Sequence, residues 1–216
     1  MKCILLANGE YGDLEAYRRV LCDFEHVICA DGGANYAYQL GLKPNYIIGD
    51  MDSINPEIAD LFAGSGVVVK KYPRSKDFTD TQLAFALAQE IGVREILVLG
   101  SLGGRLDHTM SNLYASVEAV EQGIKVTHCT PEYMVYILRD KIFLNSSQGD
   151  LVSVMALTER ATGVCEIGFE YPLDNVILEM RNPFAISNVM VGDNAEIHVK
   201  SGILAVFHYR SLNTLE

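Results

Sequence analysis

The sequence predicts an α/β layered domain with a mainly parallel sheet over residues 1–130, followed by an antiparallel β-sandwich over residues 131–216. Three observations lead there. Up to about residue 130, short runs rich in β-branched residues alternate with segments of helical spacing. Those runs are nearly all apolar, the pattern of parallel strands covered on both faces. Beyond Pro131 the helical spacing stops, and strand-like runs follow one another across turn signals.

In the first part, residues 3–8, 27–31, 46–50, 67–72, 96–100 and 125–130 read as strands, and 14–24, 35–40, 81–91 and 111–122 as helices. Asp13 and Thr79 stand where N-caps belong, and Thr79-Asp80-Thr81-Gln82 matches a capping box. In the second part, strands are expected at 134–139, 141–145, 151–157, 163–167, 176–180, 196–199 and 203–209. Glu196-Ile197-His198-Val199-Lys200 alternates as a half-exposed antiparallel strand should. Ser147-Gln148-Gly149-Asp150 and Val191-Gly192-Asp193-Asn194 supply turns at sandwich spacing.

Composition narrows the class of function. The chain has 216 residues, is 49% hydrophobic and 21% charged, and carries 17 Lys+Arg against 28 Asp+Glu, a formal charge of −11. That apolar content is enough for a folded core, and the acidic balance disfavours nucleic-acid binding, which needs basic residues on phosphates. No apolar run approaches the roughly 20 residues of a membrane span. Met1-Lys2-Cys3-Ile4 lacks the pattern of a secretory signal, so a cytoplasmic location is expected. Cys3, Cys22, Cys29, Cys129 and Cys165 are odd in number, scattered and free of any C-x-x-C pair. They are expected to be buried, reduced packing residues.

Acidic residues at predicted strand ends carry the chemistry. Asp31-Gly32-Gly33 follows one strand and Gly49-Asp50-Met51-Asp52-Ser53 the next, on the edge where open α/β sheets bind ligands. In an extended segment Asp50 and Asp52 would point the same way, and two adjacent carboxylates repel unless a cation lies between them. Magnesium accompanying substrate phosphates accounts for such a pair; a solvated loop is the structural alternative. Lys76-Asp77-Phe78-Thr79-Asp80 enters a helix, where Asp80 either meets the positive end of the dipole or completes a metal site. Gly100-Ser101-Leu102-Gly103-Gly104-Arg105-Leu106-Asp107-His108 lies between a strand and a helix. Its glycines permit close backbone approach, and Arg105 offers a fork suited to phosphate. It is neither a P-loop nor a dinucleotide fingerprint.

Together, Asp31-Gly32-Gly33-Ala34-Asn35, Gly49-Asp50-Met51-Asp52-Ser53-Ile54, Asp77-Phe78-Thr79-Asp80 and Gly103-Gly104-Arg105-Leu106-Asp107-His108 resemble the thiamine pyrophosphokinase family, bacterial type. Tyr171-Pro172-Leu173 and Ile186-Ser187-Asn188 resemble its C-terminal signatures. The resemblance implies ATP-dependent transfer of pyrophosphate to thiamine, giving thiamine diphosphate and AMP, in a homodimer whose two kinds of domain both line the site. It implies Asp31, Asp50, Asp52 and Asp80 as the catalytic acids, with Asp50, Asp52 and Asp80 on magnesium and Asp31 beside the metal or the cationic substrate. Gly32, Lys76, Asp77, Gly100, Ser101, Gly104, Arg105, Asp107 and His108 fall around ATP, and Ser187 and Asn188 on thiamine. Asp80 and Asp107 are the candidate general bases. The chain departs from the family in reading Ala185-Ile186-Ser187-Asn188-Val189 where bacterial members often read Gly-Ile-Ser-Asn-Glu. It also has no tryptophan, leaving Phe184, Phe207 and Tyr209 as candidate stacking partners for thiamine. The rival readings are another magnesium-dependent phosphoryl or nucleotidyl transferase, and a non-catalytic nucleotide- or thiamine-binding module.

Overall fold

The computed structural model describes residues 1–75 and 77–210, and the chain divides into two compact units, Met1–Pro131 and Glu132–Glu216. In the first unit, strands β1 (Lys2–Leu6), β2 (His26–Ala30), β3 (Tyr46–Gly49), β4 (Val68–Lys71), β5 (Glu95–Leu99) and β6 (Lys125–Cys129) form a parallel sheet in the order β6-β5-β1-β2-β3-β4. The order reverses between β1 and β5, which makes the carboxyl end of that pair a topological switch point. Burial explains the apolar strand runs: the last four residues of β1 are buried, as are the last three of β2 and of β3. β4 lies at the sheet edge with Val68 and Val69 exposed.

Helices α1 (Gly33–Gln39), α2 (Pro56–Ala63), α3 (Asp80–Glu90) and α4 (Leu106–Glu121) connect the strands. α3 begins with the expected capping box: Gln82 N–H donates to Thr79 Oγ1 at 3.2 Å, and Thr79 N–H donates to Gln82 Oε1 at 2.8 Å. α1 must start at a glycine, since a Cβ on Gly33 would stand 2.1 Å from the backbone oxygen of Leu6. The expectations at residues 14–24 and at Cys22 are corrected, and one helix stands where none was expected. Residues 14–24 form only a 3₁₀ helix, Leu14–Arg19, capped by Asp13. Its buried residues are the neighbours Ala16 and Tyr17, too few for a helical stripe, and Asp23 breaks away with φ 61°. The helix α2 was not expected, although Asn55 caps it and Pro56 opens it. Four cysteines are buried as expected, but Cys22 is exposed, in the segment where the expected helix gives out.

In the second unit, β7 (Tyr133–Leu138), β8 (Lys141–Asn145), β9 (Leu151–Ala156), β10 (Arg160–Ile167), β11 (Leu173–Glu179), β12 (Asn188–Val189), β13 (Asn194–His198) and β14 (Leu204–Tyr209) pair antiparallel. They form two layers, β12-β9-β14-β7 and β11-β10-β13-β8. Val152, Val154, Leu204 and Val206 from one layer and Leu144, Val164, Leu178 and Ile197 from the other share one buried cluster. The short β12 was not anticipated as a strand.

Candidate active site

A cleft of about 760 Å³ opens in the first unit beyond the carboxyl ends of the parallel strands, at the switch point. Asp31 leaves β2 with φ 46°, its N–H donating to Ile48 O at 2.8 Å, so it is locked to the end of β3. Asp50 and Asp52 do converge, but not as residues of an extended strand. Met51 takes φ 70°, and Asp52 N–H donates to Asp50 Oδ1 at 3.1 Å, an Asx-type turn that folds the segment back. Asn35 of α1 holds this loop, donating from Nδ2 to Ser53 O and accepting Asn55 N–H, each at 2.9 Å.

The outcome is an acidic group in which Asp31, Asp50 and Asp52 each place an oxygen within 4.8 Å of the others. Asp31 is 6% exposed, and its Oδ1 is buried with no hydrogen-bond partner. A buried carboxylate oxygen left without a donor, beside two further carboxylates, is the arrangement a divalent oxygen-seeking cation satisfies. The residues therefore fit magnesium. Asp80 lines the same cleft but is not in that closest group. It stands at the start of α3 across from Asp31, and a Cβ on Gly49, at φ 149°, would sit 3.2 Å from the Asp80 carboxyl carbon and 3.0 Å from Asp31 Cβ.

The glycine-rich loop forms the opposite wall. Gly100, Ser101, Gly104, Arg105 and His108 line the cleft. Gly103 and Gly104, with φ 88° and 59°, pass close to Glu10, whose carboxylate would stand 3.3 and 3.1 Å from added Cβ atoms. Arg105 donates to Asp107 through Nε at 3.2 Å and Nη2 at 2.5 Å. This pairing raises the guanidinium pKa and lowers that of the carboxyl, and both side chains remain mostly exposed. Asp107 thus acts on Arg105 and is not among the cleft-lining residues, and neither are Gly32 and Asp77. Gly32 lies against Asn8, whose side chain a Cβ would overlap at 2.3 Å. Lys76 lies outside the described residues.

Phe78, Arg74 and the run Asn8-Gly9-Glu10 also line the cleft, and the sequence alone assigned none of them a role. Phe78 is 59% exposed at the cleft, an aromatic face that solvent exposure alone does not favour. Arg74 Nη1 reaches to 3.7 Å from Asp52 Oδ2. Asn8-Gly9-Glu10, directly after β1, occupies the switch point itself; its position could have been read from the strand order, had that order been known.

In the second unit, Ser187 is exposed with φ 61°, and its N–H donates to Ser153 Oγ at 3.0 Å. Asn188 faces inward instead, 5% exposed. Its Nδ2 donates to Glu166 Oε2 at 2.7 Å and Tyr171 O at 2.8 Å, while Oδ1 accepts Tyr171 N–H and Val189 N–H at 3.0 Å each. The amide is fully engaged within its own unit. Glu166 is 0% exposed with Oε1 unpartnered, and burial pushes its carboxyl up to about 7. Phe184 and Tyr209 are exposed and Phe207 is half-buried.

Residues 17–128 match the family model "Thiamin pyrophosphokinase, catalytic domain", and residues 139–204 match "Thiamin pyrophosphokinase, vitamin B1 binding domain". Thiamine pyrophosphokinase 1 of Oryza sativa subsp. japonica is 25% identical over 210 residues, spanning 85% of this chain and 79% of the relative. Thiamine pyrophosphokinase of Bacillus subtilis (strain 168) is 25% identical over 179 residues, spanning 82% and 84%. The crystal structure of thiamine pyrophosphokinase from Bacillus subtilis superposes with a TM-score of 0.86 at 22% identity, covering 98% of this chain and all of that one, which establishes likeness of fold.

Proposed function

Because the chain belongs to the thiamin pyrophosphokinase family, we propose that it transfers the pyrophosphoryl group of ATP to the hydroxyl of thiamine, releasing AMP and thiamine diphosphate. The observation that carries this reading to the residues is the convergence of Asp31, Asp50 and Asp52 at the switch-point cleft, with Asp31 Oδ1 buried and without a donor. Asp31, Asp50 and Asp52 would hold magnesium, with Asp80 next to them. When bound, the metal would supply neutralisation of the phosphate charge.

The remaining steps are assigned to the protein's own groups. The glycine loop after β5 lets the triphosphate approach backbone, and Arg105, held by Asp107, directs its guanidinium along the same wall. An acidic wall alone repels ATP, but it attracts the permanently cationic thiazolium. Of the two candidate bases Asp80 is the one that lines the cleft, so it is assigned to receive the hydroxyl proton; a loose transition state asks little of that base. For thiamine we assign contact to Ser187, exposed on its turn, and give Asn188 the task of fixing that turn from inside.

A homodimer belongs to the same proposal. Phe143, Ile167 and Ile177 are exposed on β8, β10 and β11, and Phe143 and Ile167 flank Glu196 in register on one face. Such an apolar face suits a second copy, and sedimentation at the 23.8 kDa of one chain would contradict it. A cytoplasmic setting, where thiols stay reduced, is consistent with five free cysteines. No helix among the described residues is long and apolar enough to cross a membrane. Incubation with ATP, magnesium and thiamine, followed by mass spectrometry, tests the reaction. AMP and thiamine diphosphate are expected in equal amounts, whereas ADP or free phosphate would point to the rival phosphoryl-transfer reading.

A further inference from the structure

Behind the cleft wall, hydrogen bonds run from the loop after β5 through β6 to α4. Ser101 Oγ lies 2.7 Å from His128 Nδ1, and His128 Nε2 lies 2.8 Å from Ser116 Oγ. Ser116 Oγ also lies 2.8 Å from the backbone oxygen of Asn112. His128 and Ser116 are 0% exposed, and Ser101, at 4%, lines the cleft.

Proton counting orients the whole chain. A carbonyl oxygen brings no proton, so the Ser116 hydroxyl must donate to Asn112 O. Ser116 then has only lone pairs for the imidazole, and Nε2 must carry the ring proton. A neutral imidazole has one N–H, which leaves Nδ1 bare to accept the Ser101 hydroxyl. The reverse order would set two buried oxygens 2.8 Å apart with no proton between them. Burial keeps the ring neutral, pushing its pKa down to about 3. The Asn112 side chain fixes the other end of Ser101, donating from Nδ2 to Ser101 O at 2.7 Å.

We propose that Ser101 offers the cleft an acceptor only, held so by His128 as a positioning residue, and that it recognises a hydrogen-bond donor of the nucleoside, a ribose hydroxyl or an exocyclic amino group. The inference rests on the reading that ATP occupies this cleft. A phosphate oxygen has no proton to give at neutral pH, and against Ser101 it would set lone pair against lone pair. The phosphates are left to the glycine-loop backbone and Arg105.

The test is equilibrium binding of ATP, 2′-deoxy-ATP, 3′-deoxy-ATP and purine riboside triphosphate, each with magnesium, to the wild type and to S101A. The wild type should bind one analogue about three- to tenfold more weakly than ATP, the analogue identifying the donor. S101A should lose about the same factor for ATP and no longer distinguish that analogue. Equal binding of all four by the wild type, or an equal loss for all four in S101A, would overturn the proposal. Nitrogen-15 spectra of the wild-type imidazole supply a check that needs no variant: a proton on Nε2 of His128 is expected, and a proton on Nδ1 would overturn it. Failure of ATP itself to bind the wild type would remove the nucleotide reading, and with it Ser101's assigned ligand, while the imidazole spectrum would still report the hydroxyl's orientation.

Discussion

At the scale of single residues, the carboxylate of Asp52 bears the most chemical weight for its exposure. It accepts Ser53 Oγ–H at 2.9 Å, stands 3.7 Å from Arg74, and shares the acidic group with Asp31 and Asp50. An amide at this position keeps the volume and the serine contact but removes a negative ligand. Asp52→Asn should therefore fold with an unchanged melting temperature and lose about a hundredfold or more in turnover, about 2.8 kcal/mol of barrier or more at 1.4 kcal/mol per decade. Retention of more than half the wild-type rate at saturating magnesium would exclude Asp52 from the metal site. The sequence showed the two carboxylates of Asp50-Met51-Asp52 but not how they meet. An i, i+2 rule for strands reaches the right pair by the wrong geometry, because the left-handed Met51 and the Asx-type bond belong to a turn. Asn188 shows the opposite limit. Its side-chain type suggests ligand recognition, and only three-dimensional contact with Glu166 and Tyr171 reveals that its amide is used internally.

At the scale of elements, the strands were legible because parallel strands buried on both faces leave nearly unbroken apolar runs, as β1 does. The start of α3 was legible because a capping box is a local device requiring only Thr79 and Gln82. The 3₁₀ helix was not, since Leu14, Tyr17, Leu21 and Phe24 keep helical spacing in the sequence while the element buries only the adjacent Ala16 and Tyr17. β12 was not either: two residues give no period to read. Inside the sandwich, Glu166 of β10 interrupts a buried strand and gives its layer pH dependence. The folded protein holds the proton up to about 7 against an ordinary 4.5, so unfolding releases a proton in that window. Stability must then fall as pH rises from about 4.5 to about 7, by roughly 3.5 kcal/mol at most at 1.4 kcal/mol per pH unit. Glu166→Gln keeps the contact with Asn188 and removes the titration. Denaturant unfolding at acid and alkaline ends of that window should show the variant gaining on the wild type as pH rises. Parallel stability profiles would show that Glu166 does not titrate there.

At the scale of the molecule, strand order decides where chemistry can occur. β1 and β5 are neighbours in the sheet but are separated in sequence by the intervening strands, so the crevice beyond their ends gathers loops from across the first unit. Four short acidic or glycine-rich motifs, each with an ordinary structural explanation, acquire a common purpose only through that order. The net charge of −11 is consistent with such a site, because a cationic substrate and a divalent metal would both be drawn to an acidic edge. Pyrophosphoryl transfer requires two phosphates to leave ATP together, which one measurement decides. ATP carrying distinguishable isotopes in its α-, β- and γ-phosphates is incubated with the protein, magnesium and thiamine, and the products are separated. The β and γ labels should enter the thiamine product in equal amounts while the α label remains in AMP. Transfer of the γ label alone, with α and β retained together in ADP, would contradict it.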